Sequence, residues 1–286
     1  MLLSDGYQSL DKNFIDYEQW NPADFKFSLR GPAFDHENEI YFSAIGAAQT
    51  FGRFVHVPYT KMIADDLNIK CLNLGTAGAG PSYFSNSPKA IDLINKSKFC
   101  IIQILSGRSV ANSLFTLGVN QGTLINNELK SQNWELSENA YRKILQTKDD
   151  IFLSALKAET RLNYIFEMIL LLEMIKVPKI LFYFSERKVD YKENNADIGG
   201  YFGAFPHFIN GKIIGVIKNY ADEYIEAISR KGLPQPIFNK QGEPELIWNE
   251  KDFPNVKYRY HNNYYPSPEM HEIAYLCLIN TLKKYK

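Results

Sequence analysis

The chain holds three cysteines in 286 residues, Cys71, Cys100 and Cys277, too few and too scattered for a disulfide-stapled scaffold. All three fall inside expected strands or helices and read as buried, reduced thiols. An excess of either charge is also missing, since 32 Lys and Arg balance 32 Asp and Glu. That balance excludes a global pull toward nucleic acid or an anionic membrane. No apolar run reaches the roughly 20 residues a bilayer span needs. The most apolar segment, 164–177, is interrupted by Glu167 and Glu173 and reads as a core helix. Met1-Leu2-Leu3-Ser4-Asp5-Gly6 lacks a basic region followed by an apolar one, so a cytoplasmic location is the expectation. His36, His56, His207 and His261 have no carboxylate or cysteine at ligand spacing, which predicts no metal site.

What is present is a series of short, continuous apolar runs alternating with helical stretches. Runs at about 40–46, 69–74, 99–105 and 179–184 do not alternate polar with apolar, as expected of parallel strands covered on both faces. Helices are expected to about Leu67, over 88–97, 150–175, 214–230 and 268–284, with a late strand near 258–260. This order predicts an α/β fold, a three-layer, doubly wound parallel sheet with ligands at the carboxyl ends of its strands. Residues 1–38, rich in aromatics and turn formers, read as an N-terminal arm laid over a domain spanning 39–286. Two stretches read as lid-like walls: 109–150, expected as a loop with short helical pieces, and 185–208, with Gly199-Gly200-Tyr201-Phe202-Gly203.

The first strand ends in Gly46-Ala47-Ala48-Gln49-Thr50-Phe51-Gly52 and the second in Asn73-Leu74-Gly75-Thr76-Ala77-Gly78. Small residues there let a helix pack tightly on the sheet, or let backbone amides face a ligand. The third strand ends in Ser106-Gly107-Arg108-Ser109-Val110-Ala111-Asn112, and the last helix begins in Pro268-Glu269-Met270-His271. This layout resembles the SGNH/GDSL hydrolases, whose blocks run Gly-Asp-Ser-x-Thr-x-Gly, Asn-x-Gly-x-x-Gly, Gly-x-Asn-Asp and Asp-x-x-His. Gly46, Thr50 and Gly52 keep the first block, but Ala47 and Ala48 stand at its Asp and Ser positions. Ser109 replaces the third-block asparagine, for which Asn112 could substitute on a longer loop, and Pro268 replaces the aspartate before the histidine. With Leu29-Arg30-Gly31-Pro32 and Gln49-Thr50-Phe51-Gly52-Arg53-Phe54, the chain resembles an uncharacterised proteobacterial branch of SGNH-like proteins. Arg30 reads as a turn anchor and Arg53 as a helix surface charge, both with an alternative role in the site.

The resemblance implies a crevice with a histidine and oxyanion donors but no serine nucleophile. His271 is the expected general base, and Gly46, Ala48, Gln49, Thr50, Gly75, Gly107, Arg108 and Asn112 are the expected oxyanion or substrate-binding positions. The expected activity is hydrolysis or transfer of an ester-type group, O-acyl or sulfuryl, on a polar, saccharide-type small molecule. A non-catalytic protein binding a glycan or anionic metabolite is the alternative, and a serine esterase using Ser106, Ser109 or Thr50 is a third. Likeness to serine-poor acetyltransferases of capsule synthesis implies coenzyme A thioester as one donor, although no phosphate-binding motif calls for it.

Overall fold

The computed structural model describes residues 11, 15–22, 28–118, 122–129, 133–246 and 260–286. The expected strand at 258–260 falls mostly outside them. Strand β1 (Tyr41–Ile45) leads through helix α1 (Ala48–Phe51) and α2 (Tyr59–Leu67) to β2 (Lys70–Asn73). Helices α3 (Pro81–Ser85) and α4 (Pro88–Asn95) precede β3 (Cys100–Gln103). Next come β4 (Phe115–Leu117), β5 (Thr123–Asn126), β6 (Trp134–Leu136), α5 (Ser137–Thr147), the long α6 (Asp150–Met174) and β7 (Lys179–Ser185). Helices α7 (Ile198–Phe202) and α8 (Gly211–Ile217) lead to β8 (Glu223–Ile228). The short β9 (Gln235–Pro236) and β10 (His261–Asn262) come before α9 (Pro268–Leu282).

Five strands form one parallel sheet in the order β2-β1-β3-β7-β8. Side chains alternate across it, and the alternation sorts the core into two layers. Tyr41, Ile45, Cys100, Ile102, Leu181 and Tyr183 pack with α4, α6 and α8 on one face. Phe42, Ala44, Phe99, Ile101, Ile180, Phe182 and Phe184 pack with α2 and α9 on the other. Because both faces are covered, the strand runs are apolar throughout, which is why the doubly wound α/β sheet was legible.

Three local expectations need correction. The helix expected over 214–230 stops at Ile217, and Glu223–Ile228 forms the edge strand β8. Its pairing along β7 places it at the sheet edge, where its side chains are mostly half-buried or exposed, and the β-branched and aromatic Tyr224, Ile225 and Ile228 suit a strand there. The stretch at 109–150 is built around a three-stranded antiparallel sheet, β4-β5-β6, followed by α5, rather than a loop with helical pieces. Cys277 lies exposed on α9, away from the buried stripe of Met270, Ala274 and Leu278, while Cys100 is buried and Cys71 half-buried.

The N-terminal segment is tied to the domain by charge. Arg53 is fully buried, donating Nε and Nη2 to the carboxylate of Asp11 at 2.9 and 3.0 Å and Nη1 to Tyr265 Oη at 3.1 Å. It is a buried ion pair and not the expected surface charge. Arg30 is the expected turn anchor. Its guanidinium donates to the carbonyls of Phe51, Gly52, Val55 and His56, satisfying the C-terminal end of α1, where Gly52 takes φ +78°. Tyr17 and Phe51 flank the same cation.

Candidate functional site

The turn after β1 is tight for a packing reason. A side chain at Gly46 would collide with Thr50 and Gln103, and one at Gly75 with the backbone nitrogen of Phe51. Gln103, wholly buried on β3, accepts from the Ala47 N–H at 3.0 Å and from Thr50 Oγ1 at 2.7 Å. Thr50 also meets the hydroxyl of Tyr59 at 3.0 Å. It therefore belongs to an internal network below the turn, not to the crevice wall expected for it. The Gly75 N–H donates to Asn73 Oδ1 at 2.9 Å, and the Gly107 N–H to the carbonyl of His207 at 3.0 Å. Neither amide is free to serve as the expected oxyanion donor. Asn112 is likewise internal, giving its amide hydrogens to Tyr141 and Thr160 and accepting from the N–H groups of Leu114 and Phe115.

Where a serine nucleophile was missed in the sequence, the space itself is closed. Ala48 is buried in an apolar cluster with Tyr17, Phe51, Phe54, Ile237 and Tyr265. The next residue turns the other way. Gln49 lines a crevice of about 340 Å³ at the carboxyl ends of β1 and β7, walled by Phe184, Ser185, Glu186, Phe202, Phe205, His207, Tyr264 and Met270, among others. Segment 198–205 thus supplies the wall the glycine run suggested, and Glu138 of α5 closes one side. Gln49 is 3% exposed, and its Oε1 is buried without a hydrogen-bond partner.

His271 does not line this crevice. The imidazole is completely buried, stacked on Tyr59 and edge-on to Phe184, and its Nδ1 accepts the backbone N–H of Tyr59 at 3.2 Å. A backbone N–H can only donate, so Nδ1 holds the lone pair and the neutral ring carries its hydrogen on Nε2. Burial first, and the Arg30 charge second, pull its pKa down to about 3. Nε2 is buried with no hydrogen-bond partner. In this tautomer it can donate but cannot take a proton, which removes the basis for the expected general base.

A second imidazole, which carried no sequence motif, faces the crevice instead. His207 Nδ1 lies 2.9 Å from Ser106 Oγ, while the His207 carbonyl receives the Gly107 N–H, so one residue clasps the end of β3 at two points. Its ring stacks on Tyr264 and meets Phe202 and Phe205 edge-on. Phe208 directly after it takes φ 68°, a left-handed conformation costing a bulky residue roughly 1–2 kcal/mol. Packing of its ring among Tyr141, Tyr201 and Phe202 holds it there. Burial, then the charges of Arg108 and Arg187, keep the His207 pKa well below its ordinary 6.5. Tyr264 is 42% exposed as a residue; desolvation around its hydroxyl raises it to about 12, with Arg108 beside it pulling the other way. Arg108 Nη1 stands 3.8 Å from Glu138 Oε2, whose other oxygen accepts from Arg142 at 2.6 Å. Ser106, Arg108 and Gln49 were all accessible to motif reading; His207 and Tyr264 were not, because only folding brings residues 207 and 264 to the end of β3. Among the described residues no three His, Cys, Asp or Glu side chains come together in a way that could hold a metal, and no helix is long and apolar enough to cross a membrane.

A family described as a domain of unknown function, DUF6473, matches residues 6–120. No curated protein matches the chain. Solved structures of Axe2 variants are similar; Axe2 is described as an acetyl-xylooligosaccharide esterase and an acetylxylan esterase from Geobacillus stearothermophilus. One is 12% identical with a TM-score of 0.39, covering 87% of this chain and 94% of its own. Another is 14% identical with a TM-score of 0.36 and the same coverage.

Proposed function

We propose that the protein hydrolyses or transfers an ester-linked group, O-acyl or sulfuryl, of a polar, saccharide-type substrate in the crevice beside His207, without a serine nucleophile. The observation that carries this reading is the 2.9 Å contact between Ser106 Oγ and His207 Nδ1 at the wall of the crevice. In the proposed tautomer Nδ1–H donates to Ser106 Oγ, so that Nε2 keeps its lone pair and takes the proton; the opposite direction of this bond would put the hydrogen on Nε2 and remove the base. A pKa held well below 6.5 leaves the ring unprotonated at neutral pH, with its lone pair available, although as a weaker base than a free imidazole.

The proton of water or of a substrate hydroxyl passes to Nε2 as its oxygen bonds to the acyl carbon or sulfur. The imidazolium then returns the proton to the departing alkoxide, so no group remains on the enzyme. Tyr264, whose hydroxyl stays protonated, is the proposed donor to the developing oxyanion, with Arg108 behind it. Ser106 positions the ring. It is 4% exposed and its Oγ also accepts the Arg108 N–H at 3.4 Å, an arrangement unsuited to attack. Gln49 is the substrate-contacting residue kept from the first turn.

The alternative, a non-catalytic binder, gains from the occupied amides of Gly75 and Gly107. Release of acetate or sulfate from a panel of esterified saccharides separates the two, run beside fluorophosphonate labelling. The enzymatic reading expects turnover with no covalent adduct. Stoichiometric adduct at Ser106 would replace it with a serine esterase, and no turnover across the panel would favour the binder.

A further inference from the structure

The described residues lining the crevice include two carboxylates, Glu138 and Glu186, and no lysine or arginine. Glu186 Oε2 has no hydrogen bond; its charge partner is Arg230 Nε at 3.7 Å, in an ion pair whose glutamate side chain is 31% exposed. An ionised carboxylate only accepts hydrogen bonds, so a buried oxygen of this kind is satisfied by a donor arriving from outside. Gln49 adds a second orphan, since the residue is 3% exposed and its Oε1 is buried with no hydrogen-bond partner. The two stand on different elements, the turn after β1 and the end of β7, and both border the same cavity. Arg108 and Arg187, whose charges reach His207, do not line it: Arg108 faces Glu138 and Tyr264, and Arg187 donates to the carbonyls of Ala204, Pro206 and Ile209. The remaining walls are apolar or aromatic: Phe184, Phe202, Phe205, Leu233 and Met270.

From this inventory we infer that the crevice takes an uncharged or cationic ligand presenting hydroxyl or ammonium hydrogens to Gln49 Oε1 and Glu186, and rejects carboxylates, phosphates and sulfates. Both carboxylates are ion-paired outside the crevice, Glu138 with Arg108 and Arg142 and Glu186 with Arg230, so the selection rests on the acceptors: an anion brings no hydrogen to them and leaves Gln49 Oε1 and Glu186 Oε2 unfilled. The volume, about 340 Å³, is at the small end of ligand pockets and suits one ring rather than a nucleotide-bearing carrier. A coenzyme A thioester, an anionic metabolite and a sulfate monoester are therefore poor occupants, which narrows the ester-linked group of the proposed reaction to O-acyl.

This inference rests on the crevice being the substrate site but not on turnover, so binding is measured with unesterified rings. Calorimetric titrations would use methyl glucoside, glucosamine, glucuronate and glucose 6-sulfate with the wild type and with Glu186→Gln and Gln49→Leu. Glucosamine and methyl glucoside are expected to bind at least about tenfold tighter than the two anions. Glu186→Gln should cut the glucosamine preference about tenfold, and Gln49→Leu should weaken both favoured rings, with melting curves confirming that each variant folds. Glu138→Gln provides a second carboxylate variant should Glu186→Gln fold poorly. Equal or tighter binding of glucuronate or the sulfate overturns the inference, as does the absence of binding by all four rings, or affinity unmoved by the variants. If esters are turned over while the anionic ring binds best, the inference falls alone. If the rings bind as stated and no ester is cleaved, only the catalytic reading falls.

Discussion

The Tyr59 N–H donates to His271 Nδ1 at 3.2 Å, joining the first turn of α2 to the first turn of α9. One of the orphan amides that every helix start leaves is satisfied by a side chain from another helix. The same bond fixes the tautomer of the ring. His271 thus acts where the two helices meet, beneath the crevice, as packing and as a cap.

His271 should therefore behave as a structural residue. Replacing it with alanine is expected to cost about 2–4 kcal/mol of stability, the range for emptying a large buried site. Nitrogen-resolved NMR should find its ring as the Nε2–H tautomer, with no titration between pH 8 and about 5. A titration near 6.5 would contradict the assignment.

Acid sensitivity follows from two buried neutral imidazoles. Both His207 and His271 have folded pKa values below the ordinary 6.5, His271 at about 3. Below pH 6.5 the unfolded chain binds protons that the native state refuses, so stability is complete above that pH and is lost as the pH falls toward the folded values. Each histidine contributes a slope of up to about 1.4 kcal/mol per pH unit in that window. Denaturant midpoints from pH 7 to 5 should fall less steeply for His271→Phe than for the wild type; identical slopes would contradict the shift.

Restoring a serine at position 48 should not restore a serine esterase. Ala48 is packed among Tyr17, Ile237 and Tyr265, and the nearest expected base holds its hydrogen on Nε2. Ala48→Ser is expected to lose about 1–3 kcal/mol by burying a hydroxyl without a partner. It should gain no fluorophosphonate labelling. Labelling at the new serine would show that the pocket there is open.

The Asp11–Arg53 pair predicts a strong asymmetry between single and double substitutions. Both side chains are 2% exposed, so Arg53→Met alone leaves a buried carboxylate and should cost about 3–5 kcal/mol. Arg53→Met with Asp11→Leu should recover most of that loss. Thermal melts of Arg53→Met, Asp11→Leu and the double variant test it, and additive losses would contradict the pairing.

Much of this architecture was legible because it depends on local patterns. Continuous apolar runs marked the parallel sheet, and the long stretch expected as a helix over 150–175 is α6, whose start the structure shows capped by Asp149. Gly46 and Gly75 marked real close approaches of backbone and side chain. β8 escaped because six residues with Glu223 and Glu226 at helical spacing also fit a helix continuing from Ile217. The site was less legible for a different reason. Motif position located His271 at the helix start, but which nitrogen carries the hydrogen depends on Tyr59, 212 residues away in sequence. His207 and Ser106 are 101 residues apart, and nothing in either local sequence announces their contact.

The most direct test of the account compares the two imidazoles in one assay, release of the ester-linked group from the best substrate of the saccharide panel. His207→Ala should lower kcat by roughly 10²–10⁴-fold, the usual worth of a general base, with little change in the affinity for the unesterified ring. Ser106→Ala should reduce kcat less and move the acid limb of the pH profile, since it loosens the ring without removing the base. His271→Phe should keep kcat within a few-fold wherever the variant remains folded. Full activity in His207→Ala, or a collapse of kcat confined to a well-folded His271→Phe, would contradict the account and return the base to the start of α9.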